Sequence, residues 1–563
     1  MTDPALDKKL DDALAHHRAG RHAEAEAAYR DILAQAPDLP DALHFLGLLL
    51  FQTNQRTEGL ELMRRAVAAG PDVAAYHFNL GKALREIRRL DESIDSLTRA
   101  TQLNPNLTDA WQELGTSLRS QGRLDEAMAA FARGVSLGST LACGSALLMT
   151  MWFHPRLTPQ QVFAHHRAWA QHFADPLGAA VKPGDFANVK DPARRLRIGY
   201  VSADLWDHVL GRYIAPVFAH HDREQFEVYC YSGSTREDDV SAKIRAGSSH
   251  WRATAGMPDD RLAALIRQDR IDVLIDLAAH MGASRLLTFA RRPAPVQATY
   301  LAYPATTGLL AMDYRITDPY LDPPGLTESI HSEKLARLPS TYWCYPVPAD
   351  APGVGELPAR AAGYVTFGAL NGPTKLNPET IQLWARVLQA TRNARLRLQL
   401  PGSPTNNRSV PLMLEQNGID PARVDFEEFQ SQSNYLRLYQ KVDLSLDPWP
   451  YNGHTTSLDS LFMGVPVVTL EGAWPVARAG VSFLSNLGLR DQLVAHSPEQ
   501  YVQIAVDLAR DTGRLSALRA DLRPRMMNSP LVDAVALTRG LEQSYRRMWT
   551  LWCDGRPPEA FSL

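Results

Sequence analysis

At 563 residues the chain is too long for one hydrophobic core, so two to four domains are expected. Its hydrophobic (45%) and charged (21%) fractions are ordinary for a globular protein, and 59 Lys plus Arg against 62 Asp plus Glu leave a net charge of −3, which excludes whole-chain attraction to nucleic acid or anionic lipid. The four cysteines stand far apart with no CxxC pair, the start Met1-Thr2-Asp3-Pro4 lacks a signal peptide's apolar segment, and no apolar run is long enough to span a bilayer, so a cytoplasmic protein without disulfides or a zinc site is expected.

The first quarter repeats itself. Leu46-Gly47, Leu80-Gly81 and Leu114-Gly115 recur at a spacing of 34, and Tyr29, Met63, Leu97 and Phe131 keep the same step. Ala25, Gly59, Ser93 and Ala127 supply small residues in register, while Pro37, Pro71 and Pro105 close successive units. This is the tetratricopeptide pattern: two antiparallel helices per unit, small residues at their close approach, proline ending the second. Four units fit between about residues 10 and 139; the first departs at its start, with Asp12-Ala13 where Leu-Gly would sit. Stacked repeats form a solenoid with a groove suited to a protein or peptide; the alternative is an array that shores up the neighbouring domain or mediates self-association. Helical signal continues through Pro159–Phe173, and Asp175 to Arg194 reads as a linker broken by proline and glycine.

From Arg195 short buried strands alternate with helix-length connections. Leu196–Ser202, Phe226–Tyr231, Ile271–Leu277 and Val296–Leu301 are predicted strands, with a helix through Leu262–Ile266. A proline-rich passage from Tyr345 to Ala362 reads as a linker, after which strands are predicted at Tyr364–Phe367, Leu396–Leu400, Val424–Phe426, Val442–Leu446 and Val465–Leu470, with helices at Pro378–Ala390 and Ser457–Met463. Two doubly wound α/β domains of about 170 residues each are implied by this alternation. A last helix, Pro530 to Trp552, is predicted to cross back onto the first half. The expected division is 1–139 repeats, 140–194 extension and linker, 195–355 and 356–529 the two Rossmann-like domains, and 530–563 the returning helix.

GxGxxG, GxxxxGK[ST] and Asp-x-Asp are all absent, so a diphosphate would have to be held by helix N-terminal amides plus a cation. Asp447-Pro-Trp-Pro-Tyr-Asn-Gly-His454-Thr455-Thr456-Ser-Leu-Asp459 suits that task. A strand ends, two prolines and a glycine turn the chain, and a helix begins with free N–H groups beside two hydroxyls. Asp459, one turn on, could accept from ribose hydroxyls; the alternative is that Thr455 or Thr456 merely caps the helix. Lys375, in Leu370-Asn-Gly-Pro-Thr-Lys375 at a strand's carboxyl end, could meet the leaving phosphate or stand as a solvated surface side chain.

Asn452-Gly-His-Thr-Thr with Asp459, the Asn371-x-x-x-Lys-x-x-Pro378 loop, Arg195-Leu-Arg-Ile-Gly-Tyr-Val-Ser-x-Asp204 and Pro293-Ala-Pro-Val-Gln-Ala-x-x-Leu-x-Tyr-Pro304 together resemble the O-GlcNAc transferase and SPINDLY family over nearly the whole chain. The resemblance implies a two-Rossmann (GT-B) glycosyltransferase that inverts the anomeric centre with no metal or other cofactor. It implies that Lys375 neutralises the β-phosphate, that His454, Thr455 and Thr456 hold the diphosphate, and that Asp459 binds ribose. Gln430 would present backbone to uracil, Gln432 would lie near the nucleoside and Tyr435 would stack on the base; the family commonly has lysine and histidine at these last two positions, so weakened donor affinity is expected. His208 matches a candidate general base or sugar-positioning group, the alternative being a hydrogen-bonded loop histidine, and it stands in His-Val-Leu where the family usually reads His-Pro-Thr. His165 or His166 matches a second candidate histidine. Tyr303, Pro304 and Thr306 fall on the loop expected to face the donor sugar, and Tyr451 replaces a smaller residue beside the sugar's N-acyl group, which opens the N-acetyl preference to question.

The reaction so implied moves N-acetylglucosamine from UDP-GlcNAc to serine or threonine of a protein or peptide acceptor. A GDP-fucose-dependent transferase of SPINDLY type and a catalytically spent repeat scaffold that binds UDP are the alternatives.

Overall fold

The 34-residue period becomes a series of helix pairs in the computed structural model, which describes residues 4–138, 141–178, 186–400, 404 and 407–563. Pro4–Arg18 pairs with His22–Gln35, Pro40–Gln52 with Arg56–Ala69, Ala74–Glu86 with Leu90–Leu103, and Thr108–Ser120 with Leu124–Ser136. The small residues explain the pairing. A Cβ on Gly47 would lie 2.8 Å from the Gly59 carbonyl oxygen, so only glycine lets these two backbones approach. Ala13, at the irregular start of the first unit, is fully buried. Tyr29, Met63, Leu97 and Phe131 are each fully buried where consecutive helices meet. The repeats form one compact unit with residues 1–147, to which 400–412 belongs as well. Ser409 Oγ donates to the Gln121 carbonyl (2.5 Å) there, although sequence placed this segment in the second α/β half.

Residues 148–399 and 413–563 form the second unit, made of two α/β lobes. The first lobe holds β1 (Leu196–Ser202), β2 (Phe226–Ser232), β3 (His250–Ala253), β4 (Val273–Asp276), β5 (Val296–Thr299), β6 (Tyr314–Thr317) and β7 (Lys334–Arg337). The second holds β8 (Thr366–Ala369), β9 (Arg395–Gln399), β10 (Val424–Glu427), β11 (Leu444–Leu446), β12 (Val467–Leu470) and β13 (Val494–Ala495). A last strand, β14 (Phe561–Ser562), pairs with β7. The strand pairings among the described residues are parallel, β14-β7-β6-β5-β4-β1-β2-β3 in one sheet and β10-β9-β8-β11-β12-β13 in the other. Each order reverses once, between β1 and β4 and between β8 and β11. Ligands of open parallel sheets collect at the carboxyl ends beside such reversals, which directs attention to the loops after β8 and β11.

Three sequence expectations shift. The chain from Tyr345 to Ala362 contains a short helix, Pro358–Ala362. The final helix runs Ala534–Cys553, after a 3-10 turn at Pro530–Val532. The linker expected over Asp175–Arg194 begins with a helical turn, Asp175–Gly178, and its residues 179–185 lie outside those described. The final helix does return to the first lobe. Tyr545 and Tyr200 share a hydroxyl hydrogen bond of 3.0 Å, Glu542 Oε1 accepts from His221 Nδ1 at 3.0 Å, and Trp549 Nε1 donates to the Asp191 carbonyl at 3.0 Å. Among the described residues no helix is long and apolar enough to cross a membrane.

Candidate functional site

Asp447 closes β11 and organises the turn and helix that come after it. Its Oδ1 accepts from the Gly453 amide (2.7 Å) and from Ser457 Oγ (3.0 Å), and its Oδ2 accepts from Thr469 Oγ1 of β12 (2.7 Å). One carboxylate therefore fastens the turn, the helix Thr455–Phe462 and the neighbouring strand together. That helix has no side-chain cap at His454, so its first amides are left for another partner. His454 itself is kept neutral, well below the usual imidazole range, by burial first and then by the Lys375 and Arg315 charges. Its Nε2 is buried without a partner, as is Asn452 Oδ1 two residues earlier.

The loop after β8 arrives beside this turn, as the strand order requires. Thr456 Oγ1 donates to Asn371 Oδ1 (2.5 Å), and Lys375 Nζ donates to the Asn452 carbonyl (2.6 Å) while standing 4.4 Å from the centre of the Tyr451 ring. Lys375 is partly buried rather than a solvated surface lysine. Burial brings its pKa down to about 7, against the opposing pull of Asp447, whose own carboxyl is raised to about 6 by burial.

A cavity of about 360 Å³ opens between the lobes. Val209, Arg212, Tyr213, Tyr345 and Pro346 line it from the first lobe and its exit; Leu370, Gly372, Gln399, Gln430, Gln432, Tyr435, Thr455, Thr456 and Asp459 line it from the second. Six of the residues singled out in the sequence thus share one cavity: Gln430, Gln432, Tyr435, Thr455, Thr456 and Asp459. Tyr435 hydrogen-bonds through its hydroxyl to Tyr439 (2.7 Å). Asp459 Oδ1 accepts from Tyr345 OH (2.7 Å), and burial raises the Asp459 carboxyl to about 7. Lys375 and His454 are not among these lining residues: Lys375 reaches from the loop after β8 to the 451–454 turn, which ends at His454.

The remaining candidates take other places. His208 caps the helix Val209–His220: its Nδ1 accepts from the Leu210 amide at 3.3 Å and lies 3.9 Å from Asp204 Oδ2. With that lone pair engaged, the ring proton sits on Nε2, so this geometry favours a hydrogen-bond donor over a base. His165 is exposed, whereas His166 is fully buried. His166 Nδ1 donates to the Val162 carbonyl (2.8 Å), which leaves Nε2 to accept from Tyr303 OH (2.7 Å), and Trp152 Nε1 donates to the same Tyr303 oxygen (2.6 Å). Both His166 nitrogens are therefore committed, and burial holds the ring neutral. The Tyr303 loop faces this inner cluster. Pro304 is buried, and Thr306, fully buried, donates to Glu333 Oε2 (2.7 Å), which braces the loop. Tyr451 stacks on Phe153 with centroids 4.6 Å apart and planes at 16°.

Sequence reading missed Trp152, Phe153, Tyr213, Tyr345 and Asp447. Only Asp447 carried a local signal, as the carboxylate that ends a strand before a turn.

The profile of glycosyl transferase family 41 matches residues 181–345 and 354–541, more than half of the chain. The chain belongs to that family. As a family 41 member it also carries tetratricopeptide matches over 46–108 and 108–137. It is 37% identical over 422 residues to a protein of Petunia hybrida described as a probable UDP-N-acetylglucosamine–peptide N-acetylglucosaminyltransferase SPINDLY, covering 74% of this chain and 45% of that one. It is 32% identical over 402 residues to the Arabidopsis thaliana protein SEC, described by the same activity, covering 69% and 40%. The chain thus spans less than half the length of these curated relatives. Among solved structures, a mutant of the Thermobaculum terrenum O-GlcNAc transferase superposes with a TM-score of 0.76 at 37% identity, over 99% of this chain and 100% of that one. This family membership accords with the repeats and two parallel-sheet lobes described above.

Proposed function

We propose that the protein transfers N-acetylglucosamine from UDP-GlcNAc to serine or threonine hydroxyls of polypeptides, with inversion and without a metal. One observation carries the reading: an uncapped helix start and a half-buried lysine from the next loop meet where the second sheet reverses, at the end of an interlobe cavity. In the reaction the acceptor oxygen bonds to the anomeric carbon as the bond to the β-phosphate oxygen breaks, the electron pair leaving on the UDP and the hydroxyl proton passing to solvent. The developing charge on the UDP is what the helix amides, the Thr455 and Thr456 hydroxyls and Lys375 would stabilise. Lys375 reaches it by leaving the Asn452 carbonyl. Tyr435 would stack on the base beside Gln430 and Gln432, Asp459 would take the ribose, and His208 would donate from Nε2 to the sugar. The relatives named for a peptide N-acetylglucosaminyltransferase activity support the same donor and acceptor, and the repeats suit a polypeptide acceptor.

A second reading has its own support. Tyr451 and Phe153 fill space beside Lys375 with two stacked rings, which favours a donor sugar without a bulky 2-substituent, such as the fucose of GDP-fucose. Incubation with each labelled donor and a Ser/Thr-containing peptide separates the two, with thermal shift by UDP against GDP as the companion measurement. Transfer from UDP-GlcNAc and stabilisation by UDP are expected. Lys375→Ala is expected to cut turnover by about 10²–10³ with the protein still folded. Nucleotide binding with no transfer from either donor would leave only a scaffold, and neither binding nor transfer would end the proposal.

A further inference from the structure

Tyr213 gives the cavity a polar group that none of these roles uses. It lies in the helix Val209–His220 of the first lobe, and its ring lines the cavity at 7% exposure. Its hydroxyl is buried with no hydrogen-bond partner. A buried hydroxyl in that condition is costly, and such groups in native proteins call for a ligand, a water or a reason. The neighbours indicate which. Tyr213 meets Tyr345 edge to face, with centroids 6.3 Å apart and planes at 82°, and Tyr345 spends its own hydroxyl on Asp459 Oδ1 (2.7 Å). That bond leaves Asp459 Oδ2 to the cavity that all three residues line. Burial first, and the Asp459 charge after it, hold the Tyr213 phenol well above the usual phenol range, so it stays protonated.

A carboxylate oxygen accepts only, whereas a phenol both donates and accepts. The carboxylate repels a phosphate, and in the proposed reading the base lies against Tyr435, Gln430 and Gln432 instead. The pair fits two adjacent hydroxyls, one donating to the carboxylate and the other exchanging with the phenol. We propose that Tyr213 and Asp459 clamp the 2′,3′-diol of the donor's ribose across the cleft, and that Tyr345 is a positioning residue that fixes the Asp459 carboxylate. The clamp rests on the nucleotide-sugar reading and adds a contact from the first lobe. Ribose recognition would then draw the helix that begins at His208 onto the donor.

Calorimetric titration of the full chain with UDP, 2′-deoxy-UDP and 3′-deoxy-UDP tests this. The wild type should bind UDP roughly 3–10-fold more tightly than at least one deoxy analogue, the range of a single buried hydrogen bond. Tyr213→Phe should lose a similar factor for UDP and abolish discrimination at one hydroxyl, and Asp459→Asn should abolish it at the other. Tyr345→Phe should weaken discrimination at the Asp459 side alone. Because Tyr213→Phe removes a hydroxyl that bonds to nothing in the empty protein, its melting temperature should stay level or rise. A Tyr213→Phe protein that keeps the full wild-type preference for ribose overturns the clamp while leaving the transferase reading intact. A wild type that binds no UDP at all overturns both.

Discussion

Lys375 and Asp459 hold opposite charges whose pKa values both approach 7, and the pH dependence should show it. Burial lowers the lysine, so its charged form is lost as pH rises through about 7; burial raises the carboxyl, so its charged form appears only as pH rises through about 7. The proposed chemistry needs both charges. kcat/KM, which reports the free enzyme, should therefore trace a narrow bell centred near 7. Lys375→Arg should keep activity on the alkaline side, because guanidinium stays protonated, and Asp459→Asn should flatten the acid limb while lowering the whole curve. A flat kcat/KM profile from about pH 5 to 9 in the wild type would show that neither group titrates near 7 in the free enzyme. These two residues were legible in the sequence because each stands in a short motif with one evident chemistry. Tyr213 was not. A tyrosine at helical spacing reads as core, and only its unpaired hydroxyl, a three-dimensional fact, distinguishes it from Tyr200 or Tyr545, which bond to each other.

At the scale of elements, the turn from Asp447 to His454 works as one piece. A Cβ on Gly453 would come 2.0 Å from Ser457 Oγ and 2.9 Å from Asp447 Oδ1, so the site needs the close approach that glycine permits. Gly453→Ala should push the helix start off the Asp447 carboxylate. A loss of UDP affinity of at least tenfold is expected by calorimetry, with a melting temperature lower by a few degrees. This turn was readable because proline, glycine and the Thr-Thr pair act locally. Other elements hid for physical reasons. β6 carries Arg315 into the core, where it pairs with Asp322 in a region closed to solvent, so hydrophobic patterning passes over it. β14 is two residues long and exists only because β7 offers an edge far away in the chain.

Across the molecule, the two lobes of the second unit meet on residues that belong to neither sheet. Trp152 donates to Tyr303 of the first lobe and packs 5.0 Å from Trp474 of the second, and Phe153 stacks on Tyr451. Trp152→Ala should cost about 3–5 kcal/mol of stability by denaturant unfolding and lower kcat more than it raises the UDP dissociation constant, since the nucleotide end of the cavity is built by other residues. Unchanged stability would show that the wedge is dispensable. The returning helix Ala534–Cys553 has a different consequence. Tyr545 reaches Tyr200 across 345 residues of sequence, so the first lobe's strands leave the ribosome long before their cover does. At about 5–20 residues per second that interval lasts tens of seconds. During it a half-finished sheet waits with its apolar flank bare, and a cell making this protein in quantity must shield that nascent surface from sticking to its neighbours.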